Sequence, residues 1–341
     1  MRAAPLLPRR PLGRRGPAVS ALGFGGAPLG DLYARIDDAT AIATVEAALD
    51  RGVTLVDTSP LYGRGLSEHR IGTALRRRPR ESFVLSTKVG RLFAPAPAGV
   101  VRPEGYVGGF PHEGRFDYSY DGAMRSLEQS MLRLGVASVD VALVHDVDPW
   151  THGEDAPARQ REALTGALRA LSDLRAQKVV GAIGIGVNDA DVGERFAREA
   201  DLDCVLLAGR YSLLEQPALD RFLPLARERG IGVIVGGVFN SGVLATGAKP
   251  GARHNYREAP PEILARVAAI EKVCAAHDVA LPHAAIAFVL GHPAVSSVVL
   301  GAVTPDEVHR NAAAFAKPVP AALWRDLKAR RLLREDAPTP A

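Results

Sequence analysis

The sequence predicts an α/β protein, a closed (β/α)8 TIM barrel with a long loop insertion after its third strand. Three observations carry this reading. Eight short apolar, β-branched runs alternate with eight longer helix-like segments. Strands that alternate with helices form a parallel sheet with right-handed crossovers. Eight such units suit a closed barrel better than an open doubly wound sheet.

The first strand is read at 21–26 and its helix at 39–51, closed by Gly52. The second strand, 54–57, leads into a helix at 67–77. The third, 83–88, is followed by 91–118, which breaks the alternation: it is rich in Gly, Pro and aromatics (Phe93, Tyr106, Phe110, Phe116, Tyr118). A structureless loop of this length is a lid, a binding loop or disordered. In the helix at 121–135, Met124, Leu127, Met131 and Leu134 step by three or four residues and stop at Gly135. Strand 139–145 pairs with helix 158–178, strand 180–186 with helix 189–200, and strand 204–208 with helix 217–230, closed by Gly230. Strand 232–236 precedes a helix at 261–277, and strand 297–301 a helix at 305–314. The barrel is expected to be a single domain over 1–335, with a polar, proline-rich tail at 336–341 that frays.

A dinucleotide-binding Rossmann fold is the main rival. It needs GxGxxG between a first strand and its helix. Gly23-Phe24-Gly25-Gly26-Ala27-Pro28 puts proline where the third glycine belongs.

Composition narrows the function. Forty-two Lys and Arg against 38 Asp and Glu leave a net charge of +4, too little to argue for nucleic acid. The arginine clusters (Arg9, Arg10, Arg14, Arg15; Arg76, Arg77, Arg78, Arg80) have no interleaved aromatics and read as solvated surface. There is no apolar run of signal-peptide or membrane-span length. Cys204 and Cys274 lie in apolar contexts without a CxxC and read as buried free thiols of a reducing, cytoplasmic protein. The expected partner is a small molecule, with no nucleic acid, membrane or metal, and the chain a monomer or small homo-oligomer.

Four polar residues stand at or just past the ends of three successive strands. Asp57 ends VTLVD, Tyr62 follows in the loop, Lys88 ends FVLSTK and His145 ends VDVALVH. In a barrel those ends converge on one face, and charged groups there are costly unless paired or used. The combination suits reversible hydride transfer. Tyr62 exchanges the proton. Lys88 brings the phenol down from its reference pKa of about 10. Asp57 holds Lys88, and His145 orients the substrate oxygen.

These residues carry a family resemblance. Gly52-Val53-Thr54-Leu55-Val56-Asp57-Thr58-Ser59-Pro60-Leu61-Tyr62-Gly63 resembles the signature of the aldo-keto reductases, and Ser86-Thr87-Lys88 and Leu143-Val144-His145-Asp146 resemble the family's other two catalytic blocks. The resemblance runs from about Leu22 to Asn311. It implies the four roles just given. It also implies that the nicotinamide stacks on Tyr211 and that Asn188 binds its carboxamide. Where many members carry glutamine three residues before the stacking tyrosine, this chain has Ala208.

Two loops suit the rest of a dinucleotide. Gly237, Val238, Phe239, Asn240, Ser241, Gly242 and Leu244 follow strand seven, and Gly301, Thr304, Glu307 and Asn311 follow strand eight, where barrels commonly hold phosphate. The resemblance implies a basic pair here in members that bind NADP. This chain has Val303 and Glu307 instead. A carboxylate repels a 2′-phosphate but accepts from a free ribose hydroxyl, so NAD is expected over NADP. Arg310 is the residue that could reach a phosphate instead.

Within the family the chain resembles the sugar 1-dehydrogenases that act on D-threo-aldoses, L-fucose and L-galactose. The carrying features are Gly25-Gly26-Ala27-Pro28-Leu29-Gly30, the insertion, Phe116-Asp117-Tyr118-Ser119 and Val144-His145-Asp146-Val147-Asp148. This implies oxidation of an anomeric C1 hydroxyl to a lactone, with L-fucose, L-galactose or D-arabinose as substrates. Leu32, Tyr33, Phe110 and Trp150 are the expected substrate walls. A pyridoxal 4-dehydrogenase or a general aldehyde or ketone reductase is the nearest alternative. More remote are a Schiff-base aldolase using Lys88 and a cofactor-sensing subunit without activity.

Overall fold

The computed structural model describes residues 7–97 and 105–340. Eight parallel strands close into a barrel in chain order: β1 (Leu22–Gly25), β2 (Leu55–Asp57), β3 (Val84–Val89), β4 (Val139–His145), β5 (Val180–Val187), β6 (Cys204–Ala208), β7 (Gly232–Gly236) and β8 (Val295–Gly301), with β8 returning to pair with β1. Every strand read from the sequence is present.

The barrel interior shows why the strand-end polar residues converge. Successive side chains on a strand point to opposite faces, so residues two apart share one. Leu55, Val84, Val141, Leu143, Ala182, Cys204, Leu206, Ile234 and Val299 form one buried cluster inside the barrel. Asp57, Lys88 and His145 lie on the same parity at the C-terminal ends of β2, β3 and β4. The register aligns them, with Asp57 opposite Ser86, Lys88 opposite Leu143 and His145 opposite Gly186. Burying each large apolar side chain below them contributes roughly 1.5–3 kcal/mol, which fixes the strands that carry the rim. An N-terminal hairpin, Arg9–Pro11 with Ala18–Ser20, adds Leu12 and Val19 to this cluster.

The outer layer comprises α1 (Asp38–Asp50), α2 (Leu66–Leu75), α3 (Tyr120–Leu134), α4 (Leu168–Ala176), α5 (Ala190–Glu199), α6 (Phe222–Arg229), α7 (Pro261–Ala276), α8 (Leu281–Leu290), α9 (Pro305–Ala316) and α10 (Ala321–Ala329). Ser119 caps α3 by accepting from Gly122 N, and Gly135 closes it at φ 70°. Two of these helices were not anticipated. The α8 segment LPHAAIAFVL is apolar almost throughout, so it shows no 3.6-residue stripe. The α10 helix lies beyond the eighth unit. The segment expected as one helix over 217–230 is a 3-10 turn at Pro217–Leu219 and then α6, parted at Arg221 (φ −142°).

The insertion is not structureless. Arg91–Pro95 and His112–Phe116 pair as an antiparallel hairpin, and Tyr106 bridges to Leu32 beside β1. Residues 98–104 of the expected loop lie outside the described residues. Of the tail expected at 336–341, Ala337 is buried and Asp336 pairs with Arg334 at 2.7 Å, and Ala341 lies outside the described residues. Among the described residues no single helix is long and apolar enough to cross a membrane.

Candidate active site

Asp57 and Lys88 meet across the rim. Lys88 Nζ donates to Asp57 Oδ2 and to the Thr58 carbonyl, each at 2.7 Å, and Ser86 Oγ donates to Asp57 Oδ1 at 2.8 Å. Lys88 and Asp57 are 1% and 2% exposed. An ion pair this deep persists only when its remaining polar atoms are satisfied, and these bonds satisfy them. Lys88 Nζ also stands 4.9 Å from the centre of the Tyr62 ring. With Nζ engaged in this way, Lys88 is poorly placed to act as the free amine of an aldolase.

Tyr62 opens a 3-10 turn, Tyr62–Gly65, that is pressed against the loop after β1. A Cβ at Gly30 would come within 2.4 Å of both Gly63 N and the Tyr62 carbonyl carbon. Glycine is therefore required where the two loops touch.

His145 meets Tyr62 edge-on, with ring centres 6.1 Å apart. Its Nδ1 lies 3.1 Å from Ser59 Oγ and 3.2 Å from Arg91 Nη1, and its Nε2 lies 3.4 Å from Asp146 Oδ1. Burial, then the charges of Arg91 and Lys88, hold the imidazole well below its ordinary range. Burial, then the charge of Asp57, holds the Tyr62 phenol well above its ordinary value. The pull expected of Lys88 on the phenol is outweighed. The ammonium is bound to Asp57, whose opposite charge offsets it, and desolvation dominates. The site thus presents a neutral phenol and a neutral imidazole.

Two cavities adjoin these groups, one of about 370 Å³ and one of about 440 Å³. Both are walled by Leu32, Tyr33, Tyr62, Trp150, Asn188 and Tyr256, so they form one cleft. The first extends to Gly301 and Glu307, and the second holds Lys88, His145, Asp146 and Tyr106.

The model of the aldo/keto reductase family matches residues 21–330. The chain belongs to this family. It is 42% identical over 336 residues to a pyridoxal 4-dehydrogenase of Microbacterium luteolum, covering 95% of this chain and 98% of that protein. It is also 42% identical, over 332 residues, to a D-threo-aldose 1-dehydrogenase of Pseudomonas sp, covering 95% and 97%. The fold matches an aldo-keto reductase from Bacillus halodurans in its holo form, with a TM-score of 0.74 at 23% identity over 96% of this chain and 97% of that one.

Aldo/keto reductases use a nicotinamide cofactor, and the first cavity fits one. Gly209, Gly236, Gly237, Gly242 and Gly301 line it. A Cβ at Gly209 or Gly242 would meet nothing within 4 Å, so the space over them is open for a ligand. Gly237, Asn240, Ser241 and Gly242 all have positive φ, a backbone form that makes anion-binding concavities. Asn240 Oδ1 is buried without a partner among the described residues, an acceptor suited to a ligand hydroxyl.

Of the sequence-read cofactor residues, Asn188, Gly237, Val238, Phe239, Asn240, Ser241, Gly242, Gly301 and Glu307 line this cavity. Four do not. Leu244 is fully buried in the core. Thr304 Oγ1 caps α9 by accepting from Glu307 N, and Asn311 Nδ2 donates to the Gly301 carbonyl at 3.4 Å. Tyr211 is the larger correction. Gly209 turns the chain at φ 69°, Arg210 lines the cleft, and Tyr211 is buried against Phe288 of α8 and His292. Packed there, Tyr211 is unavailable to stack on a cofactor ring.

On the substrate side Leu32, Tyr33 and Trp150 line the second cavity. Phe110 does not; it packs on His69 and His112, with ring centres 5.6 and 5.7 Å away. The sequence reading missed Tyr106, Asp146, Asn255 and Tyr256 as walls. Asn255 and Tyr256, at φ 47° and 63°, form the two-residue tip of a hairpin between Arg253–His254 and Arg257–Glu258. Asparagine at such a tip is a turn signal that could have found it. Arg253 lies over the Tyr33 ring at 4.8 Å and ties this hairpin to the β1 loop.

Proposed function

We propose that the protein oxidises the anomeric C1 hydroxyl of an aldose, such as L-fucose, L-galactose or D-arabinose, to the lactone with NAD. One observation carries this reading. The phenol of Tyr62, between Lys88 and His145, opens on a cavity that pairs aromatic rings with Asp146, Asn188 and Asn255. A sugar wants an apolar face against its ring and hydrogen-bonding groups at its edge.

A nicotinamide in the first cavity supplies the hydride acceptor. Tyr62 takes the proton from the C1 hydroxyl, and His145 orients that oxygen. In the oxidising direction the phenol must first lose its own proton to solvent at the open cleft, which a positive charge in the adjoining cavity would favour. In the reducing direction the neutral phenol is already the donor.

Glu307 supports NAD. It lines the first cavity, and its Oε2 accepts from Val303 N at 2.9 Å, which fixes the carboxylate there. Arg310 is largely exposed, with Nη2 3.8 Å from Glu307 Oε1. The buried free thiols of Cys204 and Cys274 support a reducing, cytoplasmic setting.

A second reading is oxidation of pyridoxal, a flat aromatic aldehyde whose cyclic hemiacetal presents a hydroxyl like the anomeric one of a sugar. The rings of Tyr33, Tyr106, Trp150 and Tyr256 around the cavity favour it, as does the name of one relative at 42% identity. A panel of aldoses and pyridoxal with NAD, followed by absorbance of the reduced cofactor, separates the two. The first reading expects the best aldose to exceed pyridoxal at least tenfold in kcat/KM. The reverse ranking transfers the site to pyridoxal, and no turnover of either overturns both.

A further inference from the structure

The insertion after β3 does more than flank the cleft. Its first residue, Arg91, reaches back under the active site. Arg91 Nη1 lies 3.2 Å from His145 Nδ1, and Arg91 Nη2 pairs with Asp146 Oδ2 at 2.9 Å. The guanidinium is 4.5 Å from the centre of the Phe116 ring on the partner strand of the same hairpin. Ser126 Oγ of α3 holds the Arg91 carbonyl at 2.8 Å. The side chain is 11% exposed and held on several sides.

A guanidinium has five donors and no acceptor. Nδ1 of His145 must therefore present its one lone pair to Arg91, and the Ser59 hydroxyl, 3.1 Å from the same nitrogen, can only share it as a donor. The ring hydrogen is then on Nε2. That nitrogen points towards Asp146, which lines the substrate cavity, whereas Arg91 and Ser59 do not.

We propose that Arg91 is a positioning residue for His145: it locks the imidazole in the tautomer that carries its hydrogen on Nε2, towards the substrate cavity. The proposal rests on the reading of His145 as the group that orients the substrate oxygen, and it gives the insertion a part in the reaction. An imidazole locked this way donates to that oxygen without a rotation or tautomer change at the moment of reaction.

The other charged and titratable groups facing His145 are Lys88 from β3, the Tyr62 phenol from the β2 loop, and Asp146 from its own loop. From the segment before α3, the Tyr118 hydroxyl donates to the His145 carbonyl at 2.8 Å and so touches only the backbone. Lys88 adds its charge to that of Arg91 against protonation. Asp146 would favour protonation, and Arg91 pairs with it. Arg91 thus acts on both sides of the ring, and its removal releases Asp146 as well.

The test uses the intact protein with histidine labelled with nitrogen-15, free of cofactor, read by long-range proton–nitrogen NMR. Wild-type His145 is expected to be neutral and hydrogenated on Nε2 at pH 8 and to remain so below the ordinary imidazole value. Arg91→Gln should raise its titration midpoint by at least one unit, and Arg91→Lys should restore much of the difference. In kinetics, the acid limb of kcat/KM should move up by the same interval in Arg91→Gln, while KM for the cofactor stays within about twofold. Wild-type His145 hydrogenated on Nδ1 overturns the proposal, as does a titration and acid limb unmoved in Arg91→Gln. The wild-type spectrum and Arg91→Lys carry the test if Arg91→Gln does not fold. The NMR result needs no substrate, so it stands or falls apart from the choice between aldose and pyridoxal.

Discussion

Lys88 and Asp57 are joined by a 2.7 Å hydrogen bond at the barrel rim, and each is buried. Removing one partner leaves the other charge without compensation, at a cost of about 3–5 kcal/mol. Asp57→Leu and Lys88→Met should therefore each lower stability by that amount in urea unfolding. The double variant should regain a large part of it, because no lone charge remains. Turnover should stay lost in all three. Additive losses of stability in the double variant would count against the pair as described.

Tyr62 stands edge-on to His145 and over Lys88, and the proposed proton exchange needs only its hydroxyl. Tyr62→Phe keeps the ring and should lower kcat by about 10²–10⁴-fold, the usual contribution of a positioned acid or base. Cofactor affinity, followed by fluorescence titration, should change by less than about twofold. Retention of most turnover removes Tyr62 from the chemistry.

Gly30 matters through backbone contact. An added methyl would press on Gly63 N and the Tyr62 carbonyl carbon, each 2.4 Å away. Gly30→Ala should cost about 1–3 kcal/mol of stability by overpacking. It should also lower kcat at least about tenfold, since small displacements of a catalytic group are expensive. An unchanged kcat in a destabilised variant would show that the loop absorbs the strain away from Tyr62.

Glu307 lines the first cavity and pairs only distantly with Arg310, at 3.8 Å. The ratio of kcat/KM for NAD over NADP should exceed about ten, and Glu307→Gln should narrow it by relieving repulsion of a 2′-phosphate. The amide also keeps an oxygen to accept from Val303 N, so the start of α9 is spared. A wild-type preference for NADP of tenfold or more would falsify the assignment of NAD.

Two buried histidines make stability depend on acid. His292 is held down at about 4, chiefly by burial and then by the charge of Arg227, and its Nδ1 accepts from Ala294 N at 3.1 Å. His145 is shifted in the same direction. Below the ordinary imidazole value of about 6.5, the unfolded chain takes up protons that the native state refuses, so stability falls as pH drops from there. Each such group contributes about 1.4 kcal/mol per unit until its folded value is reached. The urea midpoint should decline from pH 7 to pH 5, and His292→Asn should flatten that decline. An equal slope in the variant excludes His292 as a source.

Much of the site was legible because the chemistry sits on regular elements. A strand reverses its side chains at every residue, so the apolar parity that marks Leu55, Val84, Val141 and Leu143 as interior also places Asp57, Lys88 and His145 at the mouth. The glycines after β7 and β8 were legible for a similar reason, since a loop that lets backbone approach a ligand needs them. What lay in irregular backbone was not. Tyr211 and Arg210 are neighbours, and only the left-handed turn at Gly209 decides which of them faces the cleft. Phe110 and Tyr106 share one insertion, yet Tyr106 enters the cavity through its bridge to Leu32 while Phe110 packs on His69 and His112.

By itself, then, the sequence determined the barrel, its strand order and the identity of the four residues at its rim, because hydrophobic periodicity and strand ends are local properties of the chain. The tertiary structure alone decided how Tyr62 and His145 are charged and what supports His145. The neutral phenol of Tyr62, the neutral ring of His145 and the reach of Arg91 to Nδ1 arise from burial and from contacts between segments distant in sequence. Desolvation and long-range hydrogen bonds depend on what surrounds a group in space, which no short stretch of residues encodes.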